Sequence, residues 1–184
     1  MYVARILYPV KVLGPGNRVG IWFCGCPRRC AGCSNPELWE FQDRYKTSLS
    51  TVQSLIEKIS AHNKIDGFTI TGGDPFFQPE GLSRLLESIK KISDDIIVYT
   101  GYLKEALPPE LLKNVAVLID APYIKERNND CLLRGSDNQT IYILNEKYRA
   151  AYENYLATAQ NQIQNFSTYD GYISVGIHRA DFIF

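Results

Sequence analysis

The chain has 184 residues, with twenty basic and twenty acidic side chains and no net formal charge. That balance supplies no global field for nucleic acid or an anionic membrane. The length suits one domain over 1–184 with a sizeable core, and no apolar run approaches the ~20 residues that span a bilayer.

The first eight residues, Met1 to Tyr8, alternate like a strand and lack the long apolar stretch and cleavage pattern of a signal peptide. A cytoplasmic protein is expected. Four of the five cysteines fall between positions 24 and 33. Thiols clustered in a reducing compartment read as metal or redox chemistry rather than as disulfides.

Residues 4–14 form an extended lead-in, and Gly14-Pro15-Gly16-Asn17-Arg18 is a turn. Residues 19–24 are apolar throughout, as in a strand covered on both faces. The cysteine loop follows at the end of that strand. Val52, Leu55, Ile56 and Ile59 recur at helical spacing behind a Ser or Thr N-cap. A second strand, 67–71, runs into Gly72-Gly73-Asp74-Pro75. Pro79 opens a helix carrying Leu82, Leu85, Leu86 and Ile89. A third strand, 96–100, ends in Gly101-Tyr102, and a short helix covers 109–113. A fourth strand, 115–119, ends in Asp120, and a fifth covers 140–144. Residues 145–166 have Tyr148, Tyr152, Tyr155 and Leu156 at helical spacing, which means packing. Residues 172–184 alternate as a final strand. The stretch 145–184 is read as a helix-and-strand extension of the same domain.

Short branched strands alternating with helices predict an α/β fold with parallel strands and crossover helices. Five strands cannot close an eight-stranded barrel, so a partial, open β/α barrel of about five to six mainly parallel strands is expected. In such folds chemistry gathers at the C-terminal strand ends. The cysteine loop, Gly-Gly-Asp-Pro, Thr100-Gly101-Tyr102 and Asp120 would then share one rim.

Cys26, Cys30 and Cys33 are spaced C-x3-C-x2-C, with Cys24 two residues upstream. Three readings stay open. Structural zinc takes four ligands in a closed tetrahedron, which Cys24 could complete. A ferredoxin-type cluster also takes four cysteines. A cubane cluster on three cysteines leaves one iron open and explains the spacing without Cys24.

The cysteine motif followed by Gly72-Gly73-Asp74-Pro75 resembles the radical S-adenosylmethionine enzymes. Gly14 to Arg18, the loop from Gly25 to Asn35, Thr100 to Tyr102, Val117 to Asp120 and Arg134-Gly135-Ser136-Asp137-Asn138-Gln139 narrow the resemblance. They are similar, over roughly 5–144, to the activating proteins of anaerobic ribonucleotide reductase. The sequence departs from that pattern in placing Gly32 and Ser34 where aromatics are common around the last cysteine, in the extra Cys24, and in the tail after 145.

The resemblance implies a [4Fe-4S] cluster on Cys26, Cys30 and Cys33, with S-adenosylmethionine on the open iron. One electron then gives methionine and a 5′-deoxyadenosyl radical, and a glycine of a large partner enzyme gives up a hydrogen. A flavodoxin-like or similar one-electron donor is implied too. Gly72, Gly73, Asp74, Gly32 and Ser34 carry over as cofactor contacts, and so do Asp120 and Arg134. For Asp120 a turn or cap role is equally open; for Arg134 the alternative is a surface ion pair or a turn. Tyr102 reads as core, Cys131 as a buried inert thiol, and His62 and His178 receive no catalytic part. The rival activities are a radical enzyme acting on a small molecule or peptide, and a non-catalytic zinc or iron–sulfur module.

Overall fold

The computed structural model describes residues 1–168 and 171–181. Six strands form one sheet in sequence order: β1 (Val3–Val10), β2 (Arg18–Phe23), β3 (Gly67–Gly72), β4 (Ile96–Tyr99), β5 (Val117–Ile119) and β6 (Ile141–Ile143). The pairings β2–β3, β3–β4 and β4–β5 are parallel. The two flanking strands are antiparallel to their neighbours. β1 turns straight back into β2 through the Gly14–Asn17 turn, where Asn17 N donates to Asp66 Oδ2 at 2.9 Å. β6 follows β5 through the long loop 120–140, which carries one short turn at Lys125–Arg127 and no crossover helix, and returns antiparallel beside it. The sheet is therefore mixed α/β and mostly parallel.

Helices α1 (Leu49–His62), α2 (Pro79–Ile89) and α3 (Pro109–Leu112) supply the crossovers. α1 begins at Ser48, whose hydroxyl accepts from Thr51 N at 3.0 Å, the N-cap arrangement that satisfies an orphan amide. Proline at the first turn starts α2 and α3. Their apolar stripes, Val52 and Ile56 on α1 and Leu82, Leu85, Leu86 and Ile89 on α2, pack on Ile21, Phe23, Phe68 and Ile70. Leu55, expected on the same stripe, is 44% exposed.

The opposite face is covered by the tail. The expected helix over 145–166 is shorter: α4 spans Arg149–Thr158. Beyond it the chain turns extended at Ala159 and enters β7 (Ile163–Thr168), which pairs antiparallel with β8 (Gly171–Gly176). Between Thr158 and Phe166 the one large apolar side chain is Ile163, set among amides at 160–162, 164 and 165, too little to build a helical face. The expected final strand over 172–184 is confined to β8, which ends at Gly176 with φ of 142°; residues 182–184 lie outside the described residues. α4 buries Tyr152 against Ile97, Val117, Ile119 and Leu133, so the tyrosine spacing reflects packing. The β7–β8 hairpin buries Val175 beside Trp22, Val10, Leu13 and Leu38. Among the described residues no helix is long and apolar enough to cross a membrane.

Candidate active site

The C-terminal ends of the parallel strands open into one cleft. Cys26, Cys30 and Cys33 line it together with Gly72, Gly73 and Asp74. The three thiols belong to an eight-residue stretch that leaves β2, and all three are half-buried. Its shape is set by hydrogen bonds to the turn that follows. Gly25 N donates to Leu38 O at 2.7 Å, Cys26 N to Trp39 O at 2.8 Å, and Cys33 N to Cys30 O at 3.1 Å.

Burial pushes the Cys26 thiol pKa up, against the backbone amides of Arg28 and Arg29, which favour the thiolate. Burial likewise raises Cys33, opposed by the Asn35 amide and the Trp39 indole N–H. Asn35 N lies 3.4 Å from the Cys33 sulfur, and the Trp39 Nε1 atom is buried without a complete hydrogen bond. Such N–H groups suit a sulfur that carries negative charge as a metal ligand. All three thiols face the cleft, and among the described residues no three Cys, His, Asp or Glu gather as a ready site for a single ion. Three soft sulfur donors on one loop are the donor set an iron–sulfur cluster takes. Cys24 stands apart. It is fully buried, and its thiol donates to Glu40 O at 2.7 Å.

The glycines of the second strand end allow two backbones to touch. A Cβ on Gly72, where φ is 109°, would lie 2.4 Å from Phe23 O, and one on Gly73 would lie 2.4 Å from Gly25 O. Only glycine lets the cysteine loop lie directly on the end of β3. Gly73 N then donates to Phe23 O at 2.7 Å and Asp74 N to Gly25 O at 2.8 Å. Gln78 adds a clasp, donating to Tyr2 O and to Cys24 O at 3.0 and 2.8 Å.

Asp74 is a bracket between strand ends. Its carboxylate accepts from Phe76 N at 3.0 Å, Thr100 Oγ1 at 2.9 Å and Gly101 N at 2.9 Å. Burial raises its pKa, and these donors act in the opposite direction. The Arg28 guanidinium lies 4.5 Å above the Tyr102 ring, which joins the cysteine loop to the end of β4. Tyr102 itself is partly buried at the edge of the main core.

The remaining expected contacts are distributed unevenly. Ser34 lines the cleft, whereas Gly32, Asp120 and Arg134 are not among its lining residues. Gly32 faces the stem of Lys125. Asp120 accepts from Lys104 N at 2.8 Å and Thr140 N at 3.3 Å, which places it as a junction of β4, β5 and β6. Arg134 donates to Gln139 O at 3.1 Å, and Gln139 donates to Ala121 O at 3.0 Å. Asn138 donates to Pro122 O at 2.8 Å. The 134–139 element thus folds onto the loop after β5 and presents Gly135 and Gln139 to the cleft. Cys131 is partly exposed, its thiol donating to Asn129 Oδ1 at 2.8 Å, so it is not the buried thiol expected.

The sequence reads the tail as an edge strand or a partner-binding extension, with no part in the cofactor site, yet Ser174 to His178 form a wall of the same cleft. His178 is 7% exposed, and its Nε2 lies 2.8 Å from Ser174 Oγ. Polar residues at alternate places in a tail strand were the only available signal. His62 is exposed on α1, away from this cleft.

Residues 12–142 match the family described as a 4Fe-4S single cluster domain, so the cluster suggested by the donor set is that of the chain's class. The anaerobic ribonucleoside-triphosphate reductase-activating protein of Enterobacteria phage T4 is 37% identical over 142 residues, 74% of this chain and 90% of that protein. Its counterpart in Vibrio cholerae serotype O1 is 31% identical over 146 residues, 73% and 94% of the two chains. The pyruvate formate-lyase-activating enzyme of Clostridium pasteurianum is 27% identical over 125 residues, 65% and 51%. The chain belongs to the family of anaerobic ribonucleoside-triphosphate reductase-activating proteins.

Proposed function

We propose that the chain is a radical S-adenosylmethionine activase that generates a glycyl radical on a large partner enzyme, anaerobic ribonucleotide reductase. One observation carries the reading: three half-buried thiols and the Gly72–Asp74 strand end line a single cleft, in a chain related to activating proteins. Cys26, Cys30 and Cys33 would hold the [4Fe-4S] cluster. That group would supply the single electron for reductive cleavage of S-adenosylmethionine to methionine and a 5′-deoxyadenosyl radical, which would take a hydrogen atom from the partner's glycine.

The chain's own work is placement and exclusion of water. Gly72 and Gly73 present backbone at the β3 end, where carbonyls would accept from the amino group of the methionine moiety. Ser34 lies beside the last ligand and contributes a hydroxyl. Asp74, with its oxygens engaged by the β4 end, holds the two strand ends in register. Asp120 and Arg134 act at one remove, by fixing the loop that carries Tyr123 and Gln139. We assign Gly32 to the turn that presents Cys33.

The sheet is read as an open β/α barrel: its six strands follow chain order, crossover helices cover one face and the tail the other. Residues 1–184 are taken as one domain, with 145–184 its extension. A reducing cytoplasm suits the free thiols, and a flavodoxin-like protein suits the single-electron step.

The test is anaerobic reconstitution, reduction, and addition of S-adenosylmethionine with and without the partner. The expected products are methionine and 5′-deoxyadenosine in equal amounts, with a glycyl doublet in the electron paramagnetic resonance spectrum of the partner. Cofactor cleavage at the wild-type rate by a Cys30→Ala protein would overturn the site. Cleavage without any radical on the partner would overturn the activase reading.

A further inference from the structure

The family match ends at residue 142, yet the chain beyond it builds a wall of the cleft. The β7–β8 hairpin is fastened at two ends. On β7, Gln164 offers its amide to β1 as another strand would: Oε1 accepts from Lys11 N at 3.0 Å, and Nε2 donates to Pro9 O at 2.8 Å. Val175 of β8 is buried beside Trp22 and Leu38. Past β8, Asn128 Nδ2 donates to His178 O at 2.8 Å and to the Tyr123 hydroxyl at 3.2 Å. The hairpin therefore crosses from the cysteine side of the cleft to the loop that follows β5.

That path puts a polar pair in a defined place. Ser174 Oγ and His178 Nε2 are 2.8 Å apart, and both residues line the cleft. Burial lowers the His178 pKa, so the ring is neutral near pH 7. Bonded to each other, the two form an uncharged pair in which the Ser174 hydroxyl can still accept a further hydrogen bond, as the hydroxyls of a vicinal diol require. Neither suits a fixed charge as well as the thiol and amide groups at the opposite end do.

The occupant's orientation follows from the reading above, on which this inference rests. The methionine end belongs at the ends of β2 and β3. The remainder of the molecule has to extend past β4 toward the β5 end, where Tyr123, Gln139 and His178 line the cleft. We propose that Ser174 and His178 form a nucleoside subsite that binds the ribose hydroxyls of S-adenosylmethionine, so that the C-terminal hairpin completes the cofactor site.

The test uses the anaerobically reconstituted holoprotein left unreduced, so that nothing turns over. Binding of S-adenosylmethionine, 5′-deoxyadenosine and methionine is measured by calorimetry for the wild type, Ser174→Ala and His178→Ala. Affinity for the first two ligands is expected to fall tenfold or more in each variant. Methionine affinity, iron content and Tm should stay at wild-type values. Unchanged S-adenosylmethionine affinity would overturn the subsite, and so would an equal loss for methionine. If His178→Ala does not fold, Ser174→Ala carries the same comparison. A wild type that binds the cofactor but installs no glycyl radical refutes the activase reading alone. A wild type that binds neither S-adenosylmethionine nor 5′-deoxyadenosine refutes both.

Discussion

Four thiols within ten residues do not share one task. Cys26, Cys30 and Cys33 face the cleft, whereas Cys24 is fully buried and donates to Glu40 O. Replacing Cys24 by alanine removes one neutral hydrogen bond, worth about 1 kcal/mol, and, on the proposed assignment, leaves the ligand set intact. Cys24→Ala should therefore retain the wild-type iron content after reconstitution, while Cys30→Ala should lose most of it. Metal analysis with the visible absorption of the cluster checks both, and iron loss from Cys24→Ala would restore a closed four-thiolate site. That Cys26, Cys30 and Cys33 would share one site was legible in the sequence, and all three do line the cleft, because spacing within a loop is local. The separation of Cys24 was not, because it depends on a carbonyl sixteen residues away. Asp120 and Arg134 were opaque for the same reason: a carboxylate at a strand end reads alike whether it meets a ligand or the amides of Lys104 and Thr140. His178 lay further out of reach, since its place in the cleft depends on Asn128, fifty residues earlier.

Elements were legible where period and boundary agreed. Ser48 and the stripe behind it gave α1, and the apolar run 19–24 gave β2. The tail failed where two periods meet. Tyr148, Tyr152 and Tyr155 have helical spacing, but the sequence after Thr158 loses it and α4 stops. The turn that leads into α4 adds a contact no periodicity reveals. Lys147 donates to Asp94 Oδ1 at 2.7 Å, and the Tyr148 hydroxyl donates to the same oxygen. Lys147 and Tyr148 hold the Asp94 pKa below its usual 3.8. A carboxylate lowered in the folded state stabilises above its unfolded pKa, and that contribution is lost as pH falls through the folded value. The Asp94 side chain is 45% exposed, so solvent screening limits the gain to about 1 kcal/mol or less. Asp94→Asn should accordingly be slightly less stable than wild type at pH 7, with the gap closing below about pH 4. Urea midpoints at the two pH values decide it, and a gap that persists in acid would assign the effect to packing.

At the scale of the molecule, the cleft at one end of the sheet depends on a sealed base at the other. Arg18 begins β2 and is fully buried. Its guanidinium donates to Asp95 Oδ2 at 2.9 Å, to Phe68 O at 2.6 Å and, through Nε, to Thr69 Oγ1 at 2.8 Å. Tyr152 of α4 donates to Asp95 Oδ1 at 2.5 Å. One cation thus joins β2, β3, the start of β4 and the tail helix, on the face that the hairpin also covers. Breaking such a pair costs more than the pair contributes, because it leaves a desolvated charge behind. Arg18→Leu should lower stability by about 3–5 kcal/mol, since Asp95 would keep its burial and lose its counter-charge. Adding Asp95→Asn should recover part of that loss, because an amide has no charge to strand. Denaturant unfolding of the single and double variants measures both. If the double variant were no more stable than Arg18→Leu, the cost would lie in the lost backbone hydrogen bonds and not in the buried carboxylate. The cofactor-cleavage rate adds a functional readout, because the strand ends that hold the thiols, Gly73 and Asp74 are the far ends of the strands Arg18 joins. A stable double variant that still cleaves S-adenosylmethionine would show that the base sets stability, with the geometry of the cleft fixed by its own brackets at Asp74 and Gln78.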